Sequence, residues 1–278
     1  ESGIILDIFC ERTFHNSWEK NWISKNYEYP YKWIGIIHTT PKSDKSDSND
    51  EYLDNLFLNE RFIKCLNKCL GIITLGISTY DNVNKYLKNK NYNIPIYLLQ
   101  HPFPDVPNCK KFNIGKFLKN KRINHVGIHM RNIESFEQIN YKNKRLCYPN
   151  IFPSFDEKYF IENYIPNMNI SNIKLENLSK EKYEKMLSCE IIFNNIYDMA
   201  GSNLICECIR YNTPIIINRI KQLEELLGEK YPMFYDSIDN ANLLIQNDTL
   251  IQKTSEYLKN IEYKISMKKF ITFLRELQ

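Results

Sequence analysis

Short apolar runs, each followed by a segment with helical spacing, recur along the whole chain, and nothing else constrains the fold as strongly. GIILDIF (3–9), KWIGIIHTT (32–40), GIITLGI (71–77), IPIYLLQHPF (94–103), RINHVGIHM (122–130), EIIFNNI (190–196) and PIIINRI (214–220) read as strands. Most are continuous apolar runs rather than in/out alternations. Strands of that kind are buried on both faces, which calls for parallel sheets joined by crossover helices. The spacing predicts helices over 56–70, from Ser78 as cap through Tyr86, over 179–189, from Gly201 or Ser202 through Tyr211, and over QLEELLG with Gly228 as its stop. The tail from Asp248 to Leu277 reads as helix in two pieces.

The pattern occurs on either side of HPFPDVPNCK (101–110), whose prolines 102, 104 and 107 mark a linker. The predicted fold is therefore α/β, with two Rossmann-like domains facing across a cleft: 1–105, 106–265, and a final helical piece, 266–278. Ligands of such sheets sit at the carboxyl ends of the strands. At 278 residues, each half is long enough for its own core.

A net charge of +4, with 43% hydrophobic and 25% charged residues, excludes a disordered or coiled-coil chain. The lysines and arginines are scattered, so no basic stripe for nucleic acid is present, and no apolar window spans a membrane. The opening ESGIILDIFCERTF is too short and too acidic for a signal peptide. Eight cysteines without paired metal spacing read as free thiols in a reducing compartment, hence a cytoplasmic protein. The start without Met reads as a piece of a longer polypeptide. Richness in Asn, Ile, Lys and Tyr reads as AT-rich coding, which suits a giant virus or a protist. KSDKSDSNDE (42–51) reads as a solvated loop beside His38, able to close over the cleft.

The chemistry concentrates in YDMAGSNLICECIRYNTPIIINRIKQLEELLGEKYP (197–232). Gly201, Ser202 and Asn203 begin a helix whose free amides and positive dipole end suit an anion. Glu207, further along that helix, either points into the cleft to accept from ribose hydroxyls or is solvated. Glu11 follows the first strand, where a carboxylate is placed to act as a general base; pairing with Arg12 or a lysine is the alternative. His101 reads as hinge lining.

This segment resembles the donor-binding element of the GT-B glycosyltransferases, nucleotide-sugar enzymes of two Rossmann-like domains. Aligning Thr213-Pro214 with the family's closing Thr-Pro places Glu207 on the second glutamate of the Glu-x7-Glu pair, whose family role is the donor ribose. Met199 occupies the place of the first glutamate; either Asp198 beside it substitutes with a shifted loop, or the chain belongs to a branch without the pair. NRIKQLEELLGEKYPMFYD (218–236) is also similar to a stretch of viral and microbial GT-B-like transferases, with Glu225, Gly228, Tyr231 and Pro232 matching. VGIHMRN (126–132) resembles the opening of a GT-B C-terminal domain, which implies donor phosphates at Gly127 and Arg131; an Arg131–Glu134 ion pair is the alternative. WIGIIHTTP (33–41) resembles the strand that ends in an acceptor-side His, here His38. The family habit also sends the last helix back onto the N-terminal domain, consistent with Met267, Phe270, Ile271 and Leu274 at helical spacing.

The resemblance implies a glycosyltransferase that moves a sugar from a nucleoside-diphosphate sugar to a hydroxyl acceptor, in glycan synthesis. Its partners are the donor and a glycan or other hydroxyl acceptor, with no nucleic acid. Asp44 and Asp47 lie in the polar loop and do not make a strand-end Asp-x-Asp, so no metal and no cofactor is expected. The donor side is Gly127, Arg131, Gly201, Ser202, Asn203 and Glu207; the catalytic candidates are Glu11, His38 and Asp198. The alternatives are a nucleotide-sugar epimerase of the same fold and a non-catalytic sugar-nucleotide or glycan-binding module.

Overall fold

The apolar runs become strands of two parallel sheets in the computed structural model, which describes residues 3–14, 28–41, 52–149 and 155–277. The 42–51 loop lies outside the described residues. Two units result. One gathers Glu1–His101, Asp198–Ser202 and Lys268–Gln278; the other gathers Pro102–Tyr197 and Asn203–Met267.

The first unit holds β1 (Ile4–Asp7), β2 (Lys32–Ile37), β3 (Cys69–Thr74) and β4 (Ile96–Leu98) in the order β1-β2-β3-β4. All three pairings are parallel. Helices α1 (Cys10–Thr13), α2 (Leu53–Leu58), α3 (Glu60–Cys65) and α4 (Ile77–Asn89) connect them. One core sits on the face bearing Trp33, Ile37 and Ile72, where Phe62, Val83 and Leu87 pack. The other face, with Ile34, Ile36, Ile73 and Leu75, is covered by Phe270, Phe273, Leu274 and Leu277 of the last helix. The final helix therefore returns to the first unit.

Two local expectations are corrected. The helix expected over 56–70 is broken at Asn59, whose Oδ1 accepts from the amides of Arg61 and Phe62 and starts α3. An Asn side chain that offers this bond favours a cap over a helix interior. Ser78 does not cap α4. Gly76 holds that position, and the Ser78 hydroxyl donates to Asp198 instead.

The second unit holds α5 (Ile114–Asn120), β5 (Ile123–Val126), β6 (Lys144–Cys147), α6 (Glu157–Tyr164), β7 (Ile173–Glu176), α7 (Lys180–Cys189) and β8 (Ile191–Asn194). After these come α8 (Asn203–Tyr211), β9 (Ile215–Asn218), α9 (Lys221–Leu227), β10 (Phe234–Tyr235), α10 (Ile238–Leu244) and α11 (Asp248–Ile261). The last helix is α12 (Met267–Glu276). The strand order is β10-β9-β8-β5-β6-β7, all parallel. It is the doubly wound order: β5-β6-β7 grow one way from the centre and β8-β9-β10 the other. The reversal between β5 and β8 opens the crevice in which ligands of such sheets bind. The proline-rich 101–110 stretch is tied down in this unit: the Phe103 amide donates to the Ile265 carbonyl, and Arg210 pairs with Asp105.

Candidate functional site

In the second unit, the residues that follow β5 and β8 meet at the switch point. β5 ends at Val126, short of the expected 122–130, because Gly127 takes a φ of +89° and Met130 one of +54°. The chain then runs beside the segment after β8. Arg131 bridges antiparallel to Ile196, the Asn132 amide donates to the Asn195 carbonyl, and the Tyr197 amide donates to the Met130 carbonyl. Asn218, at the end of β9, fixes Ile196 from the other side, accepting from its amide at 2.7 Å and donating to its carbonyl at 2.8 Å.

Arg131 folds back over Gly127. A Cβ on Gly127 would lie 2.8 Å from the guanidinium carbon, so the close approach requires glycine twice, for space and for φ. Nη1 donates to the His129 carbonyl at 2.6 Å, while the buried Nε has no hydrogen-bond partner among the described residues. The expected alternative partner, Glu134, is not among the charges acting on it; burial pushes its pKa down to about 10, and the one group opposing that is the Tyr183 phenol. At neutral pH it remains a cation. Beneath it, His125 is wholly buried, with Nε2 3.1 Å from the Gly127 carbonyl, and burial holds its pKa down at about 3. The turn thus rests on a neutral imidazole.

Helix α8 begins at Asn203, one or two residues later than expected. Leu204, Ile205, Cys208 and Ile209 are buried, and Glu207 is half-buried rather than solvated. Its Oε2 accepts from the Tyr183 hydroxyl of α7 at 2.5 Å. Burial raises the carboxyl pKa, and the Tyr183 bond opposes the rise.

Within the first unit, the ends of β1, β2 and β4 gather Glu11, His38 and His101. Asp7 closes β1 by accepting from the Phe9 amide at 2.9 Å and the Thr13 hydroxyl at 3.1 Å, which bends the chain into α1. That turn carries Glu11, 4% exposed, under the end of β2, where Oε1 accepts from the His38 amide at 2.7 Å. The His38 ring lies 4.6 Å from the Phe9 ring and 6.4 Å from the His101 ring. Burial, then His101 and Arg12, lower the His38 pKa to about 4. His101, read as hinge lining, packs beside His38 and against Gly201, where a Cβ would come 2.8 Å from its ring.

Asp198 and its neighbours belong to this unit too. Asp198 accepts from the Ser78 hydroxyl at 3.2 Å and from the Met199 amide at 2.7 Å. Gly76 admits the segment, since a Cβ there would lie 2.6 Å from the Met199 carbonyl oxygen. Gly201 has a φ of +115°, and Ser202 is buried.

No family model and no curated protein matches the chain by sequence. Solved structures match it by shape. TarM of S. aureus, crystallised with fondaparinux, α-GlcNAc-glycerol and UDP, superposes with a TM-score of 0.66 at 16% identity, covering 89% of this chain and 50% of TarM. Sucrose-phosphate synthase of Thermosynechococcus elongatus gives 0.68 at 11% identity over 99% of this chain and 72% of its own. HepE of Anabaena, in complex with UDP-glucose, gives 0.59 at 12% identity over 89% and 71%. The fold is that of the GT-B glycosyltransferases.

The chain spans about half the length of TarM. Seen as a GT-B fold, its second unit brings together Gly127 and Arg131 in one turn, and places Asn203 and Glu207 on α8. Its first unit brings together Glu11 and His38, and holds Asp198, Gly201 and Ser202. Two participants lay beyond the sequence reading, Tyr183 and the proximity of His101 to His38. Tyr183 sits at helical spacing from Met186 and Leu187, as a core residue does, and its partner is 24 positions away. All eight cysteines are free thiols. Among the described residues no cluster of three His, Cys, Asp or Glu side chains can hold a metal, and no helix is long and apolar enough to cross a membrane.

Proposed function

We propose that the chain is the nucleotide-sugar-binding and catalytic part of a glycosyltransferase, moving a sugar from a nucleoside diphosphate to a hydroxyl acceptor such as a glycan, without a metal ion. One observation carries the reading. A guanidinium with a buried, unsatisfied Nε rests on a left-handed glycine at the switch point of a doubly wound sheet. A planar cation with a vacant N–H suits a diphosphate, and the GT-B neighbours crystallised with UDP and UDP-glucose favour the same ligand class.

In this reading Arg131 and the amides at the start of α8, from Asn203 on, hold the diphosphate. The turn through Gly201 and Ser202 leads the chain into that helix. Negative charge grows on the diphosphate as the glycosidic bond breaks, and a fixed cation of low solvation stabilises it most there. Glu207 takes the ribose. On the acceptor side His38, neutral at pH 7, binds a hydroxyl, while Glu11 holds the backbone that carries it. Asp198, which accepts from the Ser78 hydroxyl, is the remaining catalytic candidate in this reading.

The test is a thermal-shift screen of UDP-, GDP-, dTDP- and CMP-sugars against the wild type, Arg131→Ala and Glu207→Ala. A ligand at about 100 times its Kd stabilises the fold by about 2.7 kcal/mol. The expected result is a shift for one nucleotide class that both variants lose, followed by acceptor-dependent release of the nucleoside diphosphate. Interconversion without acceptor would identify an epimerase, binding without turnover a recognition module, and no shift with any nucleotide would remove the donor site.

A further inference from the structure

We propose that Tyr183 is a positioning residue for the Glu207 carboxylate, and through it for the ribose of a bound nucleoside diphosphate. The inference rests on the donor reading of the second unit and adds a residue to it. A phenol has one proton to donate, and Tyr183 gives it to Glu207 Oε2. That bond joins α7 to α8 and leaves the carboxylate one committed oxygen, so the direction of Oε1 is set by the helix pair.

The bond also bears on the charge of the carboxylate, against the larger effect of burial. Burial favours protonated Glu207, and the Tyr183 hydroxyl favours the ionised form. A hydroxyl of a ribose is held by an oriented, ionised carboxylate far better than by a neutral acid. The other titratable groups that act on this pair are Cys206, Cys208 and Tyr211 on α8 itself and Cys147 at the end of β6. Burial raises the thiols and phenols, with Cys206, Tyr211 and Cys147 each at about 12, and Arg131 stays protonated below about 10. Glu207 is the group of this cluster that titrates on the acid side, raised by burial and held back by the Tyr183 bond.

The experiment measures UDP, GDP and inorganic pyrophosphate affinity by calorimetry from pH 5 to 8. It uses the wild type, Tyr183→Phe, Glu207→Ala and the double variant, each checked for folding by circular dichroism. Phe keeps the ring and removes only the hydroxyl. The expected result is that Tyr183→Phe weakens the nucleotide that binds by roughly tenfold at pH 7 and moves the acid limb of its binding curve to higher pH. Pyrophosphate, which has no ribose, is held as before, and Tyr183→Phe adds nothing in the Glu207→Ala background. Equal affinity and an unmoved acid limb in Tyr183→Phe would overturn the positioning role while leaving the donor site standing. An equal loss of pyrophosphate would overturn it as well, since a helix-packing defect would then explain the loss. If neither nucleotide binds the folded wild type, the donor reading itself fails and takes this role with it.

Discussion

Replacing Gly127 by alanine tests the proposed donor turn more sharply than removing a charge does. Two costs are built into the position. A φ of +89° is a left-handed conformation, which costs an L-residue with a Cβ about 1–2 kcal/mol. The new Cβ would also lie 2.8 Å from the Arg131 guanidinium carbon and 3.0 Å from Nε, where ordinary contact begins at 3.4 Å. The guanidinium must therefore move away by about half an ångström or more. The backbone cost alone lowers Tm by roughly 2–8 °C, at 2–4 °C per kcal/mol for a domain of this size. The displaced guanidinium costs a charge-assisted hydrogen bond to the ligand, about 1.5–3 kcal/mol, or roughly 10–100-fold in Kd for the nucleoside diphosphate. Calorimetry and thermal melts read both terms. In Gly127→Ala/Arg131→Ala the clash disappears and the backbone cost remains, so the double variant melts no lower than Gly127→Ala. Gly3→Ala, where a Cβ meets nothing within 4 Å, is the control and leaves both quantities unchanged. Wild-type diphosphate affinity in Gly127→Ala would refute the reasoning, because the close approach of Arg131 would then have no bearing on the ligand.

Two further outcomes follow from the buried groups. His38 and His125 have pKa values held down to about 4 and about 3. Below the ordinary histidine value of about 6.5 the unfolded chain therefore binds protons that the folded chain refuses. Their contribution to stability is complete above that value and is lost as pH falls toward 4; Tm should drop steeply across this window and less steeply in His38→Gln, and a flat profile in the wild type would contradict the burial of both rings. Tyr231, matched in the sequence to a transferase motif, accepts from the Ile215 amide and donates to the Ile215 carbonyl. Tyr231→Phe should cost about 1–3 kcal/mol of stability in a chemical melt and leave nucleotide affinity unchanged, whereas a loss of affinity at constant stability would make it a ligand contact.

Much of the fold was legible because burial on both faces leaves a continuous apolar run, as in Ile191–Phe193 and Ile215–Ile217. β6 was not, because it brings Lys144 and Arg145 inside. Lys144 is satisfied there by the carbonyls of Glu137 and Ile139, and Arg145 by Asn124, Glu176 and Glu190. A charge buried with its partners reads as surface in one dimension: those of Lys144 are backbone carbonyls, which any sequence offers, and those of Arg145 are 21 to 45 residues away. The candidate site divides the same way. Gly127 and Arg131 lie four residues apart, and a strand end marks them. Glu207 shows on its helix, but the phenol that holds it comes from another helix. His38 and His101 each follow a strand, yet their proximity depends on the pairing of β2, β3 and β4, which no local pattern states.

The last helix has a consequence for how the protein is made. The sheet face of Ile34, Ile36, Ile73 and Leu75 is closed by Phe270, Phe273, Leu274 and Leu277, and the segment 198–202 also belongs to this first unit. Synthesis runs from the amino end, and domains ordinarily fold as units in that order. Here the strands of the first unit leave the ribosome well before residues 270–277 and wait, with one apolar face bare, until that helix arrives. The second unit, whose strands all lie between residues 123 and 235, can complete its sheet earlier. The unit begun first is finished last.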